Sequence, residues 1–434
     1  MAKYKAYPEY EDSGIEWLGL VPKSWTIFRL KNMATIKNGQ DYKFVQADDG
    51  YPVMGSGGQF TFSSKFMYDK PSVLLGRKGT IDKPLYINEP FWTVDTMYYT
   101  ELKKDVDAKY LYYLALTIQF SRYSTNTALP SMTQEHLSNY KFSVPRSESE
   151  RKKITEFLDH EIAKIDDLID KQQQLIDLLK EKRQAVISLA VTKGLNPDVP
   201  MKDSGVEWLG DVPEHWRINS LNHVLAAIGD VDHYMPQSVD DGIPYVMTGD
   251  LTEFVSGIQF SKCKQVNFRD YLKLSKKIKS RLGDVIMARY ATIGTVSYVD
   301  IDKDFLVSYS CVTIKPNPSK VVGLYLYYYF KSNSFLQGIQ YQVNTNTQGN
   351  VGINDLSKMK IVLPSIKEQE EIIAHLQLDL ENLDYLSTKS TQAINLIQER
   401  RTALISAAVT GKIDVREWVA PDRQDVEESQ EATI

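Results

Sequence analysis

Two long stretches of the chain carry an apolar residue alternately at every fourth and every third position. The first lies within residues 146–195 and the second within residues 365–413. Such spacing places one apolar stripe along a helix and predicts a coiled-coil seam. In the first stretch the seam runs through Leu158, Ile162, Ile165, Ile169, Gln172, Ile176, Leu179, Arg183, Val186 and Ala190. An offset of 218 residues gives the second seam, Leu376, Leu380, Leu383, Ser387, Ser390, Ile394, Ile397, Arg401, Leu404 and Ala408. The polar interruptions recur with the period, which favours a defined register between two related helices.

Both stretches also carry helix start and stop signals. A proline and a Ser-x-x-Glu capping box precede each seam, at residues 145–150 and 364–368, and Gly194 and Gly411 follow it. A helix of about 40 residues is about 60 Å long at roughly 1.5 Å per residue. A helix with one apolar stripe needs a partner, and the other copy in the same chain is the natural one. Because a folded module separates the copies, we expect an antiparallel pair with one module at each end. The alternative is that they are ordinary core helices of separate domains.

A second repeated segment precedes each of the two stretches that lie outside the predicted helices, residues 26–144 and 217–363. Residues 12–25 return as residues 203–216 at an offset of 191, and ten of the fourteen pairs are identical. A period this long excludes a solenoid and indicates two tandem copies of a whole module. This tryptophan motif contributes Trp17, Trp25, Trp208 and Trp216. We expect these side chains to brace each module against the helices; the alternative is that they anchor a partner protein.

The stretches between these signals, residues 26–144 and 217–363, are much less alike but occupy equivalent places. Both alternate short apolar runs with glycine-containing turns, which predicts strands, and each contains a tyrosine-rich segment of helical character. The sequence thus predicts an α+β fold: two globular strand-rich domains separated by a pair of long antiparallel coiled-coil helices, with a pseudo-twofold internal repeat. The predicted domains are residues 1–145, the first strand-rich module; 146–195, the first helix; 196–364, the second strand-rich module; 365–413, the second helix; and 414–434, an acidic tail expected to be disordered.

The net charge of −5 looks unsuited to an acidic ligand, but the distribution of the charge changes this picture. Residues 414–434 alone carry a net −5, whereas residues 26–147 and 217–365 each carry a net +4. This balance permits contact with phosphates without requiring it. The two cysteines, Cys263 and Cys311, suit a reducing cytoplasm and are expected to be buried small side chains. No run of about 18 apolar residues occurs, so no membrane span is expected.

One short segment recurs within the strand-rich stretches and carries candidate binding residues. Gly76-Arg77-Lys78-Gly79-Thr80-Ile81 aligns with Ala288-Arg289-Tyr290-Ala291-Thr292-Ile293. An arginine just after a strand is expected to present its guanidinium at a rim, where it can contact guanine or a phosphate. Polar stretches at residues 124–132 and 344–350 add amides and hydroxyls that suit adenine edges and phosphates. The predicted DNA-binding residues are Ser56, Gln59, Arg77, Lys78, Thr80, Asn126, Ser131, Thr248, Arg289, Tyr290, Thr292, Asn344, Asn346, Gln348 and Asn350. The alternative is that the arginines form ordinary surface ion pairs and that the stretches are ordinary polar loops.

Motifs for catalysis are absent from the sequence. There is no Asn/Asp-Pro-Pro-aromatic loop of an adenine methyltransferase and no Gly-x-x-x-x-Gly-Lys-Ser/Thr phosphate loop. The six histidines show no metal-ligand spacing with either cysteine. Asp95, Glu101 and Lys103 match a nuclease metal site only loosely, and the second copy lacks them. We therefore predict no catalytic residue, no metal and no cofactor bound by this chain.

Together these features resemble the specificity subunit of type I restriction–modification enzymes over residues 8–415. The resemblance is carried by residues 16–25 and 207–216 of the tryptophan motif, the Gly-Arg-Lys-Gly-Thr-Ile segment, Pro145 and Pro364, and the helix ends at residues 185–192 and 403–410. It implies that each strand-rich module is a target recognition domain for one half of a bipartite site in double-stranded DNA. It also implies that the paired helices set the gap between the halves.

The same resemblance implies partners rather than an enzyme. Two modification subunits would dock on this chain and methylate adenine with S-adenosylmethionine that they bind themselves. Two restriction subunits can join such complexes and cleave DNA with ATP and Mg²⁺. The expected setting is the bacterial or archaeal cytoplasm, in association with the nucleoid and not with a membrane. The competing hypotheses are a coiled-coil scaffold that binds proteins only and a self-sufficient nuclease.

Overall fold

The chain divides into two compact units. The computed structural model describes residues 4–122, 131–342 and 349–420. The first unit comprises residues 1–172 with 392–434, and the second comprises residues 173–391. Each unit therefore holds one strand-rich module together with a part of each long helix.

The first module and first long helix contain strands β1 (Tyr10–Asp12), β2 (Leu20–Pro22), β3 (Trp25–Arg29), β4 (Ala34–Asn38), β5 (Gln46–Ala47), β6 (Tyr51–Gly55), β7 (Gly58–Ser63), β8 (Ser72–Gly76), β9 (Leu85–Ile87), β10 (Trp92–Thr93), β11 (Met97–Leu102) and β12 (Lys141–Pro145), and helices α1 (Leu30–Met33), α2 (Ala108–Ala115), α3 (Gln134–Asn139) and α4 (Glu148–Lys193). The second module and second long helix contain strands β13 (Met201–Asp203), β14 (Asp211–Pro213), β15 (Arg217–Ser220), β16 (Leu225–Gly229), β17 (Ile243–Val246), β18 (Lys264–Val266), β19 (Val285–Ala288), β20 (Val296–Tyr298), β21 (Leu306–Val307), β22 (Cys311–Pro316) and β23 (Lys360–Leu363), and helices α5 (Phe268–Leu274), α6 (Gly323–Lys331), α7 (Asn333–Gln340), α8 (Ile353–Lys358) and α9 (Ile366–Val409).

The long helices α4 and α9 pack antiparallel in each unit, and every seam position is buried or half-buried. In the first unit the beginning of α4 meets the end of α9 through Ile154, Phe157, Leu158, Ile162, Ile165, Leu404, Ile405, Ala407, Ala408 and Val409. In the second unit the end of α4 meets the beginning of α9 through Leu179, Ile187, Ala190, Val191, Ile372, Ile373, Leu376, Leu380 and Leu383. These contacts confirm the predicted antiparallel pairing of the two seams. Burial of both apolar stripes away from water stabilises the pair.

The arginines that interrupt the seams form matched ion pairs across the helices. In the first unit Arg401 Nε lies 3.0 Å from Asp166 Oδ1, and in the second Arg183 Nε lies 3.3 Å from Asp384 Oδ1. The offset of 218 that relates the two arginines also relates the two aspartates. Each unit thus repeats one polar contact, which favours the observed register over a shifted one.

Both long helices end just before the predicted glycines, but only one of the two predicted capping serines caps its helix. Gly194 and Gly411 have φ values of 82° and 76°, which only glycine adopts without a steric cost. Ser365 Oγ accepts from the Glu368 backbone N–H at 3.2 Å, as a capping box requires. The Ser147 hydroxyl instead lies 2.8 Å from the Ser149 hydroxyl. The glutamates of both boxes, Glu150 and Glu368, accept from indole N–H groups.

The two modules share one topology despite their low similarity. A four-stranded sheet has the order β4-β11-β8-β9 in the first module and β16-β22-β19-β20 in the second. The pairs β6–β10 and β17–β21 are parallel, and β3–β12 and β15–β23 are antiparallel, in equivalent places. The predicted strand-rich modules with a tyrosine-rich helix each, α2 and α6, are confirmed.

One connection between consecutive strands is longer in the second module than in the first. Eight residues, 64–71, join β7 to β8 in the first module, whereas residues 267–284 join β18 to β19 in the second and contain α5.

None of the helices in the described part of the chain is long and apolar enough to cross a membrane.

Candidate nucleic-acid interface

In the first unit, a loop that follows a central strand pairs with a loop from later in the chain. The loop after β8 carries Arg77, Lys78 and Thr80, and Lys78 forms an isolated bridge with Ser131. The backbone N–H of Met132 also donates to the carbonyl of Arg77 at 3.0 Å. The structure therefore brings four predicted binding residues together at the C-terminal end of β8, with Lys78 and Thr80 exposed.

The second unit contains the same arrangement. The loop after β19 carries Arg289, Tyr290 and Thr292, and Tyr290 forms an isolated bridge with Asn350. The backbone N–H of Val351 donates to the carbonyl of Arg289 at 3.2 Å. These segments are called the paired loops below: residues 77–80 with 131–132, and residues 289–292 with 349–351. The sequence alignment of the two loops thus corresponds to a structural equivalence.

The turn within each paired loop has the same left-handed backbone. Gly79 has a φ of 81°, and the aligned Ala291 has a φ of 58°. An alanine in this conformation costs about 1 kcal/mol or more, because its Cβ crowds the backbone. The second unit therefore stores strain in a turn where the first uses glycine, and such strained residues cluster at functional sites.

The two aligned arginines have different environments. Arg77 is half-buried, lies 5.9 Å from the Tyr98 ring centroid and donates to the carbonyl of Asp95 at 3.2 Å. Arg289 is buried, with 6% of its side chain exposed, and donates to Asp230 at 2.6 Å. The expectation of a guanidinium at a rim is corrected for Arg289, because a buried carboxylate draws this guanidinium into the module.

Asp230 is the centre of an ionic cluster beside the paired loops of the second unit. Its carboxylate is 6% exposed and lies 3.1 Å from Lys277 Nζ and 3.2 Å from His233 Nε2. Arg289 also donates to the carbonyl of Val351 at 3.1 Å. The cluster therefore links the end of β16 to residues 289–292 and to residues 349–351 of the second unit. A buried hydrogen-bonded network of this kind holds the loops in one conformation.

The remaining predicted binding residues lie elsewhere. Ser56 is half-buried in the turn between β6 and β7, Gln59 is exposed near the start of β7, and Thr248 is half-buried in the turn after β17. β6 and β17 are equivalent strands, but neither belongs to the sheet that carries the paired loops. Asn126, Asn344, Asn346 and Gln348 lie outside the described residues.

The second tryptophan of each motif joins its module to the beginning of a long helix. Trp25 and Trp216 are buried, and their Nε1 atoms donate to Glu150 and Glu368, each at 2.9 Å. Each indole also lies against the glycine that ends the other long helix of its unit. Tyr7 donates to Glu150 at 2.7 Å, and burial together with this carboxylate raises the pKa of the Tyr7 hydroxyl, which therefore stays protonated. These contacts support a bracing role.

The first tryptophan of each motif is half-buried and packs on its own module. Trp17 stacks on Tyr140 at 5.3 Å between ring centroids, and its Nε1 donates to the carbonyl of Lys141 at 3.3 Å. Trp208 stacks on Tyr341 at 6.2 Å. Docking of a partner on these tryptophans stays a prediction.

The sequence reasoning missed a basic segment of the second module. Residues 261–283 carry Lys262, Lys264, Arg269, Lys273, Lys276, Lys277, Lys279 and Arg281 but only one acid, Asp270. The segment holds half of the sixteen basic residues in residues 217–365, and a charge count in a short window would have found it.

A metal site is not assembled in the described residues. No group of three or more His, Cys, Asp and Glu side chains among them could hold a metal ion. Glu101 of the loose acid pair lies 3.6 Å from Lys37. Cys263 and Cys311 are free and buried, as predicted, and burial raises the pKa of the Cys311 thiol to about 12, so that it stays an unreactive thiol.

Two modules of one topology, each with paired polar loops and each mounted on antiparallel helices, define a protein built from an internal repeat. A family model described as the type I restriction modification DNA specificity domain matches residues 22–178 and again residues 228–396. The chain therefore belongs to the type I restriction–modification DNA specificity family. Within such a system its role is that of the specificity subunit.

Individual relatives agree with this assignment. The chain is 23% identical to the specificity subunit of the type I restriction enzyme EcoBI from Escherichia coli, over 95% of this chain and 91% of that protein. A chain from a structure of a type I restriction–modification system has a TM-score of 0.65, 14% identity, and coverage of 91% of this chain and 99% of its own. The HsdS subunit from Thermoanaerobacter tengcongensis has a TM-score of 0.50, 13% identity, and coverage of 91% and 98%. At these identities the two structures support the fold alone.

Proposed function

We propose that each strand-rich module reads one half of a bipartite site in double-stranded DNA. The observation that carries this proposal is the recurrence of the paired loops, which join Lys78 to Ser131 in one unit and Tyr290 to Asn350 in the other. Cationic, hydroxyl and amide groups on such loops suit phosphates and base edges. Because the two sets of loops differ in sequence, the two modules would recognise different half-sites.

The helices α4 and α9 would set the gap between the half-sites. They contain 46 and 44 residues, which at about 1.5 Å per residue makes each between about 65 and 70 Å long. One turn of B-DNA advances about 34 Å, so helices of this length have the scale that separates two half-sites. The matched ion pairs Arg183–Asp384 and Arg401–Asp166 would keep the helices in register and the gap constant.

Two modification subunits would dock on like surfaces of this chain. In the first unit Leu168 and Leu396 are 48% and 65% exposed, and in the second unit Leu386 and Leu178 are 48% and 61% exposed. The offset of 218 relates the first pair to the second, so each unit displays the same two apolar side chains on its helices. Two identical partners require two like surfaces, which this repeat supplies.

The catalytic chemistry would belong to those partners. We propose that the modification subunits bring S-adenosylmethionine, that restriction subunits bring ATP and Mg²⁺ chemistry, and that this chain is not itself a catalyst. The absence of methyltransferase and phosphate-loop motifs from the sequence supports this division of roles. The proposed site of action is DNA in the cytoplasm. A protein-only scaffold would account for the helices but not for the paired loops, and it is not favoured.

The test is a module exchange in the assembled methyltransferase. The chain is co-purified with its modification subunit, and the methylated adenines of a host genome are mapped. Replacing residues 26–144 with the equivalent module of a relative is expected to change one half-site and to leave the other half and the gap unchanged. A change in both halves, or methylation without a sequence preference, would refute the proposal.

A further inference from the structure

The second unit carries a strongly basic surface outside the paired loops. We define the basic surface as residues 267–284, which contain α5 and the segment after it. The range holds Arg269, Lys273, Lys276, Lys277, Lys279 and Arg281 against Asp270 and Asp284, a net charge of +4. Four of the cations, Arg269, Lys273, Lys276 and Arg281, are exposed and have no carboxylate within ion-pair distance among the residues that the structure describes. These charges therefore remain available to an anionic ligand.

A groove runs along this surface. It has a volume of about 750 Å³ and is lined by Tyr234, Phe268, Arg269, Lys273 and Lys276, among others. Phe268 is 60% exposed, and Lys273 Nζ lies 4.8 Å from the centroid of the Tyr234 ring. The acid that also lines the groove, Asp270, accepts from the Asn267 side chain at 2.9 Å. Exposed cations interleaved with aromatic rings are the composition of nucleic-acid-binding surfaces.

The basic surface adjoins the paired loops of the same unit. Lys277 belongs to the basic surface and Arg289 to a paired loop, and both bind the Asp230 carboxylate, at 3.1 and 2.6 Å. One buried side chain thus separates the two regions. A duplex whose base edges face residues 289–292 would bring its phosphates close to the basic surface.

The equivalent connection of the first module carries much less charge. This connection, residues 64–71, contains Lys65, Lys70 and Asp69, a net charge of +1. Near this connection the first module instead exposes phenylalanines: Phe44, Phe60 and Phe66 are 70%, 53% and 45% exposed. The two modules therefore offer different chemistry to a ligand.

We propose that the basic surface contacts DNA phosphates beside the second half-site and that the first module makes no equivalent contact. The inference rests on the proposed function and adds the unequal division of electrostatic binding between the modules. Each phosphate contact that releases a counterion contributes about 0.9 to the slope of log K against log salt concentration. Loss of Arg269, Lys273 and Lys276 should therefore lower the magnitude of the slope by about 2 to 3. Over a fourfold rise in salt, the wild type would lose roughly 40-fold more affinity than the variant.

The experiment uses the full chain assembled with its modification subunits. The triple variant Arg269→Gln/Lys273→Gln/Lys276→Gln is compared with wild type by fluorescence anisotropy on a labelled duplex containing the methylation site, across a series of salt concentrations. The matched control is Arg217→Gln/Lys358→Gln/Lys360→Gln, which removes the same charge from three exposed positions on or next to the β15–β23 pair of the same unit. Each complex is also titrated with duplexes in which one half-site is scrambled.

We expect the slope to fall by about 2 to 3 in the first variant and by less than 1 in the control, with the preference for the intact second half-site retained. An unchanged slope, or an equal fall in both variants, would overturn the inference. So would a variant that assembles poorly with the modification subunits yet keeps the wild-type slope, since the surface would then bind protein. A wild-type complex without sequence preference would instead contradict the proposed function.

Discussion

The aligned arginines of the two modules provide a sharp test, because equivalent sequence positions have different surroundings. Arg289→Met removes a guanidinium from a pair in which both side chains are 6% exposed. The Asp230 carboxylate then keeps Lys277 and His233, whose side chains are 50% and 60% exposed. Removing one partner of a buried pair costs about 3–5 kcal/mol, and the remaining partners place this case near the lower end, at about 3 kcal/mol.

Arg77→Met is the matched change in the first module. Arg77 is half-buried, donates to the carbonyl of Asp95 and lies against the Tyr98 ring. Its loss should cost about 1 kcal/mol of stability. For units of about 200 residues, 1 kcal/mol shifts Tm by roughly 2–4 °C. We therefore expect Tm to fall by about 6–12 °C for Arg289→Met and by about 2–4 °C for Arg77→Met.

For DNA binding we expect the direct effect at Arg77, although the larger loss of stability is expected at Arg289. If Arg77 contacts a base edge as proposed, Arg77→Met should reduce discrimination at the first half-site by about 1–3 kcal/mol, or about 5- to 150-fold. Arg289→Met should act through the position of the paired loops. Asp230→Asn in the same chain should restore part of the lost stability, because a neutral amide then replaces the buried carboxylate that has lost its buried partner. Calorimetry and competition binding with scrambled half-sites measure both effects. The reasoning is refuted if Arg289→Met leaves Tm unchanged but abolishes recognition of the second half-site.

Three further predictions concern backbone and length. Gly411→Ala should destabilise the first unit by about 2–4 kcal/mol in urea unfolding, because the backbone would be strained and the new Cβ would lie 2.5 Å from Pro22 Cδ. The control Gly19→Ala is strained but lies in open space and should cost only about 1 kcal/mol. Equal losses in the two variants would contradict the packing argument. Ala291→Gly should stabilise the second unit by up to about 1 kcal/mol in the same assay, since glycine relieves the positive φ; a loss of stability would show that the turn is unstrained. Inserting one heptad after Ile169 should lengthen the gap without altering either half-site, as measured by selection of bound sequences from random DNA; an altered half-site would argue against a separate spacer.

The repeats in the sequence were enough to predict the helices and their pairing. Heptad spacing is a local property of the chain. The offset of 218 residues placed Arg183 and Arg401 at equivalent positions of the two seams. The structure added the acids that pair with them across the helices, Asp166 and Asp384, which lie on exposed sides of the seam. The glutamates of the capping-box pattern show the limit of such motifs. Their carboxylates bind buried indole N–H groups that the sequence places more than a hundred residues away.

For the binding surface, local alignment located the paired loops but could not assign the role of each residue in them. The tandem tryptophan motif, the seams and the Arg-x-x-Thr-Ile segment are patterns of neighbouring residues, and the sequence by itself therefore determined two like modules on two long helices. Whether an arginine faces solvent or a buried carboxylate depends on a residue about sixty positions away, as Arg289 and Asp230 demonstrate. Only the tertiary structure decided this, because burial and charge pairing are set by which distant segments fold together.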